Sequence, residues 1–265
     1  MPVRKFAISA AVLAVTMTAP ARPSASPLQQ AEQIVVVTTP DWNAVDGRLQ
    51  LYQRATPHGP WLPDGPAVPV VVGKAGMGWG RGVLTRIAVE RPTDPVKQEG
   101  DHRSPAGVFR LGEAFGDAAA PLAGWQVHYR PLQETTDCVD DPQSLHYNQI
   151  VERGAGMDWK SAEHMRDAGE AYRWGMVVEN NTAPPLPGRG SCVFLHIWDG
   201  SGKGTEGCTA MPEEQVTALL GRLRPDAHPL LIQMPVEEYR QLARRLALPA
   251  LFGGAQPQNS MRPAN

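Results

Sequence analysis

The side chains best suited to covalent chemistry are His196 and Cys208, twelve positions apart in Ser191-Cys-Val-Phe-Leu-His196-Ile-Trp-Asp-Gly-Ser-Gly-Lys-Gly-Thr205-Glu-Gly-Cys208-Thr-Ala-Met-Pro212. A thiolate is the nucleophilic form of cysteine, and a neutral imidazole can take the thiol proton near neutral pH. A cysteine and a histidine within hydrogen-bonding reach are therefore the minimum for acyl transfer through a thioester. Cys192 competes for the same imidazole, but four residues along a strand set it roughly 13 Å away, too far for proton transfer. Cys208, on a loop, has no such limit. On spacing alone, a packed strand histidine with a small buried cysteine fits as well as a catalytic pair.

The elements that must position the pair follow from the same stretch. Cys192 to Trp198 is β-branched, aromatic and aliphatic and stops at Asp199-Gly200, which predicts a strand feeding a glycine-rich loop. The pleat sends Val193, Leu195 and Ile197 to one face and Cys192, Phe194, His196 and Trp198 to the other. Gly200, Gly202, Gly204 and Gly207 let the loop fold back. Pro212-Glu213-Glu214 reads as a helix start. Cys208 would then lie just ahead of a helix N-terminus and near Lys203, a placement that favours a thiolate; Glu213 and Glu214 oppose it.

The segments Phe194-Leu-His196-Ile and Thr205-Glu-Gly207-Cys208-Thr-Ala-Met211 resemble the catalytic signature of the L,D-transpeptidase (YkuD-type) family, cysteine enzymes of bacterial peptidoglycan. Glu99-Gly-Asp101-His-Arg103-Ser-Pro105-Ala-Gly107-Val-Phe109 and Asp137-Cys-Val-Asp140-Asp141 resemble a subgroup of it, and the likeness spans roughly residues 70 to 240. The resemblance implies a YkuD-like β-sandwich with a few peripheral helices. It also implies Cys208 as nucleophile, His196 as base and the Gly207 and Cys208 amides as oxyanion donors, with Arg103, Thr205, Thr209 and Trp198 toward substrate. The family's arginine two places after the cysteine is Ala210 here, and Arg103 is the candidate to replace it, since a guanidinium can grip a carboxylate at two points. With three cysteines in an exported chain, pairing Cys138 with Cys192 frees Cys208 for chemistry.

Met1-Pro-Val-Arg4-Lys5, an uncharged run from Phe6 to Ala19, and Ala19-Pro20-Ala21 read as a secretory signal over 1–21, cleaved after Ala21. The apolar run is short for a membrane span, so the mature protein is expected in the periplasm or outside the cell. A net charge of -2 and a pI of about 6.4 leave no basic face for nucleic acid. Residues 22–31 read as a linker, 32–252 as one catalytic domain and 253–265 as a tail. The 26 glycines and 26 prolines predict many short strands, hence a mainly β (β-rich α+β) fold.

Strands are predicted at 33–39, 48–54, 70–73, 125–130, 145–151, 172–180 and 230–234. Helices are predicted over 159–172, behind the site through Val216, Leu219, Leu220 and Leu223, and at the end through Val236, Tyr239, Ala243 and Leu246. Gly73 to Gly82 lacks the Gly-Lys-Ser/Thr ending of a phosphate loop, so it reads as a surface loop with Trp79 available for stacking or packing. Asp137, Asp140, Asp141 and His146 fit no standard zinc spacing, and no metal or cofactor is expected. The function expected is a cysteine acyltransferase on peptidoglycan stem peptides. Alternatives are a hydrolase using the same residues, a non-catalytic wall-binding domain, and a metal-dependent amidase using His196, His146 and the carboxylates from Asp137 to Asp141.

Overall fold

The computed structural model describes residues 26–84 and 89–251. The expected signal (1–21) and tail (253–265) lie outside the described residues. Within the stretch read as a linker, α1 (Pro27–Gln30) forms one helical turn, closed by a reciprocal capping box between Ser26 and Gln29.

The β-branched run of β1 (Gln33–Thr39) pairs antiparallel with β2 (Asp46–Gln53). The short β3 (Leu62–Pro63) lies on β2, and β4 (Val68–Val71) runs antiparallel beside it. After β5 (Met77–Trp79) comes the longest strand, β6 (Ser104–Gly116), which β5 and β7 (Tyr129–Pro131) join in parallel. A separate three-stranded sheet holds β8 (Thr136–Val139), β9 (Ile150–Glu152) and β10 (Ala162–His164), with β8 in the middle. The main sheet is completed by β11 (Trp174–Val178), β12 (Phe194–Ile197), β13 (Thr209–Met211) and β14 (Leu230–Pro235).

Eight of these strands close on themselves in the order β1-β14-β6-β11-β12-β13-β4-β2 and back to β1. The fold is thus mainly β, and the closed ring leaves those eight strands with partners on both sides. Ile34, Val36, Phe109, Leu195, Ile232 and Met234 are almost wholly buried, each burial worth about 1.5–3 kcal/mol relative to exposure. Two helices cover the strands. α2 (Glu213–Arg222) packs on β11 and β12 and buries Val216, Leu219 and Leu220, and α3 (Val236–Leu246) packs on β14, the strand just before it, and buries Tyr239 and Leu242.

The helix expected over 159–172 is replaced by β10 and a 3-10 helix at Met165–Tyr172. Gly169, at φ 55° and ψ −129°, breaks any continuous helix, and Ala162, Glu163 and His164 gain sheet partners in Val139, Cys138 and Asp137. The glycine-rich 73–82 stretch is no open surface loop either. Met77, Gly78 and Trp79 are buried as β5, with Trp79 packed edge-on against Trp42 and its indole N–H donating to Asp94. The strands expected at 125–130 and 145–151 shrink to 129–131 and 150–152, where partner strands exist to satisfy their backbone.

Candidate active site

Cys138 and Cys192 form a disulfide, leaving Cys208 as the free cysteine. Cys192 sits in a left-handed turn at φ 53°, so the strand starts at Phe194 rather than at Cys192. The alternation along β12 is visible in the packing. Val193, Leu195 and Ile197 join the large core, whereas Phe194 joins a smaller cluster with Phe115, Cys138, Met165, Tyr172 and Cys208.

β12 and β13 run parallel, with His196 opposite Ala210 and Leu195 opposite Thr209. Residues 198–208 must therefore carry the chain back across the sheet, and Gly200, Gly202 and Gly207 take left-handed φ values of 133°, 74° and 149° to do it. This register puts Cys208 on the face of His196, one diagonal step away, at roughly 8 Å between Cα atoms from strand spacing and rise. The loop is pinned beneath. Ser104 Oγ and Thr205 Oγ1 each donate to the Cys208 carbonyl at 2.6 Å, and Gly73 N donates to Ser104 Oγ at 2.9 Å.

The sulfur takes the Phe194 amide at 3.3 Å and lies 3.6 Å from the Cys192 carbonyl. The imidazole does not hydrogen-bond the sulfur. His196 Nδ1 is 2.7 Å from the Ile197 carbonyl, so in the neutral ring Nδ1 carries the hydrogen and Nε2 is left as the basic nitrogen. Burial pushes His196 down to about 4, against the smaller opposing effects of the Ile197 carbonyl and Asp199. Tyr172 joins the two groups. Its ring packs edge-on to the imidazole at 5.3 Å, and its hydroxyl reaches the Cys208 sulfur. It also packs edge-on against Phe115 and Phe194, forming a cap over the thiol.

The expected helix-dipole assistance to Cys208 is absent, because Thr209–Met211 form a strand and the helix begins only at Glu213. Cys208 is 7% exposed, and its thiol is pushed up to about 12, first by burial and then by the Glu163 charge. The cation that acts on it is Lys97, not Lys203. Lys97 is 3% exposed, its ammonium pairs with Asp101 at 2.6 Å, and it would lie 3.4 Å from a Cβ placed on Gly207.

The remaining expected site residues are distributed differently. Gly207 N donates to Thr205 Oγ1 at 3.1 Å, so that amide is occupied rather than aimed at an oxyanion. Thr205 serves as the pin of the turn. Thr209 points into the barrel, where its hydroxyl meets Gln233 at 2.6 Å, because it shares the face of Leu195 and not of His196. Arg103 spends its guanidinium on the Trp42 and Met77 carbonyls and on Asn43 Oδ1, holding loops together. Trp198 lies half-buried just past β12, its amide on the Met211 carbonyl. The acidic residues once grouped with His146 disperse: Asp137 takes Arg153, His164 and Trp159, Asp140 takes Ser161, and Asp141 takes the Gln143 and Lys160 amides.

Lys97, Ser104, Glu163 and Tyr172 carry the site without having been picked out for it. Tyr172 and Glu163 lie in the segment expected as a helix over 159–172, where Tyr172 fell on the apolar spacing and Glu163 among the charges between. Glu163 Oε1 accepts from Tyr172 Oη at 3.0 Å, while Oε2 is buried with no partner among the described residues. Burial raises this carboxyl to about 7, with Asp140 and Glu99 adding to the effect and the Tyr172 bond opposing it.

No family model matches the chain, and no curated protein matches it. Among solved structures, the Bdellovibrio bacteriovorus protein Bd1075 is similar at 11% identity and a TM-score of 0.36, over 82% of this chain and 55% of that one. The chain thus spans about half of that protein's length, and a likeness of this size carries no argument about chemistry.

Proposed function

We propose that the protein is a peptidoglycan-directed cysteine acyltransferase of the L,D-transpeptidase type. The observation that carries this reading is the free thiol of Cys208 on the same face of neighbouring strands as a histidine whose tautomer is fixed by a backbone carbonyl, with Tyr172 packed against that imidazole. The YkuD-like sandwich that the motif resemblance implies, and the periplasmic or secreted location, belong to the same proposal.

In this reading the thiol loses its proton and the sulfur attacks the carbonyl carbon of a stem-peptide amide. The carbon–nitrogen bond breaks, the amine leaves with a proton, and a thioester remains on Cys208. His196, neutral and with Nε2 basic, takes and returns protons. The packing of Tyr172 against Phe115 and Phe194 keeps water from the sulfur.

A second stem amine resolves the thioester to a cross-link; water resolves it to a trimmed peptide. Ala210 favours the second outcome as an alternative reading. It stands directly opposite His196 and is wholly buried, so no guanidinium projects from the position where the family places one.

The test is intact-mass detection of an acyl or carbapenem adduct on the purified protein, together with product analysis on muropeptides. An adduct on the wild type that disappears in Cys208→Ser supports the reading. Cross-linked or trimmed products from Cys208→Ser would overturn it.

A further inference from the structure

The buried carboxyl of Glu163 has no part in the mechanism above, yet it faces the reacting sulfur through one side chain. β10 places Glu163 opposite Cys138 on β8, and the 3-10 helix that follows brings Tyr172 back over it. Tyr172 Oη bonds Glu163 Oε1 at 3.0 Å and reaches the Cys208 sulfur, while Glu163 Oε2 is sealed from solvent with no partner among the described residues. Nature seldom leaves a buried carboxylate oxygen without a donor, since the unsatisfied group is costly. Protonated on that oxygen, the carboxyl loses its charge and with it most of the cost.

We propose that Glu163 is a positioning residue that serves as a proton store for Cys208, reached through the Tyr172 hydroxyl. The inference rests on Cys208 acting as the nucleophile proposed above. The step moves one proton and no electrons between atoms: the Cys208 S–H bond breaks, Tyr172 gains that hydrogen and passes its own to Glu163. The products are a thiolate, a neutral tyrosine and a neutral carboxylic acid. This path replaces His196 as the acceptor of the thiol proton; when the substrate's carbon–nitrogen bond breaks it returns the proton to the leaving amine, and His196 serves the amine or water that attacks the thioester.

The surroundings fit this direction. His196 makes no hydrogen bond to the sulfur and is driven down to about 4, whereas Glu163, bonded to Tyr172 and raised to about 7, is the stronger base. The Glu163 charge opposes the thiolate only until the carboxylate takes the proton, after which the repulsion is gone. Asp140 and Glu99 raise the carboxyl, and Lys97, beside Gly207, favours the thiolate.

The test is the rate at which iodoacetamide alkylates Cys208 between pH 5.5 and 9, followed by intact mass on the disulfide-intact protein. The wild-type rate should rise through an inflection near pH 7. Glu163→Gln should lose that inflection and react at least about tenfold more slowly at pH 7.5, a change of about 1.4 kcal/mol in barrier. Tyr172→Phe keeps the ring packing and drops the hydroxyl, so it should match Glu163→Gln, and the double variant should be no slower than either. Glu163→Asp should restore part of the inflection. Wild-type and Tyr172→Phe profiles that superimpose would overturn the relay, even if Glu163→Gln failed to fold. So would faster alkylation of Glu163→Gln, the result expected if the carboxylate only repels the thiolate, or no wild-type alkylation at any pH. Muropeptide turnover is scored separately: an altered alkylation profile without turnover defeats the peptidoglycan reading and leaves the relay standing.

Discussion

Replacing both Cys138 and Cys192 by alanine should loosen the cap over Cys208 as well as the fold. The disulfide closes a loop of sequence separation 54. In the chain-entropy model that loop restricts the unfolded chain by about 14 cal/mol/K, or about 4 kcal/mol at 25 °C. For a domain of this size, the loss corresponds to a Tm lower by roughly 8 to 16 °C. The location adds a local effect. Cys138 lies in β8, which holds β10 and therefore Glu163, and Cys192 lies two residues ahead of Phe194, whose amide binds the sulfur. Without the covalent tie, the three-stranded sheet and the Met165–Tyr172 helix are held over Cys208 by noncovalent packing alone, so alkylation of Cys208 should speed up. Urea and thermal unfolding give the global term, and intact-mass alkylation below the transition gives the local one. A double variant within about 1 kcal/mol of the wild type, with unchanged alkylation, would refute the reasoning, because neither the loop constraint nor the tether would then be acting.

Stability against pH should show two opposed titrations. His196 sits at about 4 when folded against 6.5 unfolded, so stability falls as pH drops from 6.5 to 4, by about 3 kcal/mol. Glu163 sits at about 7 against 4.5, so the folded state holds its proton longer and stability falls as pH rises from 4.5 to 7, by a similar amount. The two offset in the wild type, and Glu163→Gln should expose a rise in stability with pH between 4.5 and 6.5; urea midpoints that stay flat in the variant would contradict the His196 shift, and a variant profile that superimposes on the wild type would contradict the Glu163 shift. Above pH 9 the buried Cys208 thiol stays protonated while the unfolded thiol ionises, so stability should decline toward pH 12, and Cys208→Ser should blunt that decline. Phe194→Ala should cost about 3–5 kcal/mol, since the ring is 1% exposed and packs edge-on to both Phe115 and Tyr172. Gly73→Ala should disturb the site from beneath, because its Cβ would come 2.3 Å from the His102 carbonyl beside the Gly73–Ser104–Cys208 chain of hydrogen bonds; unchanged alkylation and Tm would count against that chain.

What the sequence made legible follows from how local each signal is. The strands at 33–39 and 230–235 and the helices at 213–222 and 236–246 are written in periodicity, and the face shared by Phe194 and His196 follows from the pleat alone. The environment of the thiol was not legible because it depends on contacts far apart in the chain. Lys97, Ser104, Glu163 and Tyr172 reach Cys208 from segments 36 to 111 residues earlier, brought in by β6 and by the small sheet. The reading of 159–172 as a helix failed at Gly169, and with it the strand that carries Glu163 and the inward direction of that carboxyl were lost. Thr209 shows the limit in the other sense: the motif resemblance implied a substrate contact, but the two-residue period of a strand turns it to the face opposite His196. The same period makes Ala210, not Thr209, the residue beside His196. In the proposed acyl transfer a cation for a substrate carboxylate must therefore come from another segment, and Arg103, bound to Trp42, Met77 and Asn43, would have to give up those loops to supply it. Lys97 needs to give up only Asp101, and it already stands beside Gly207.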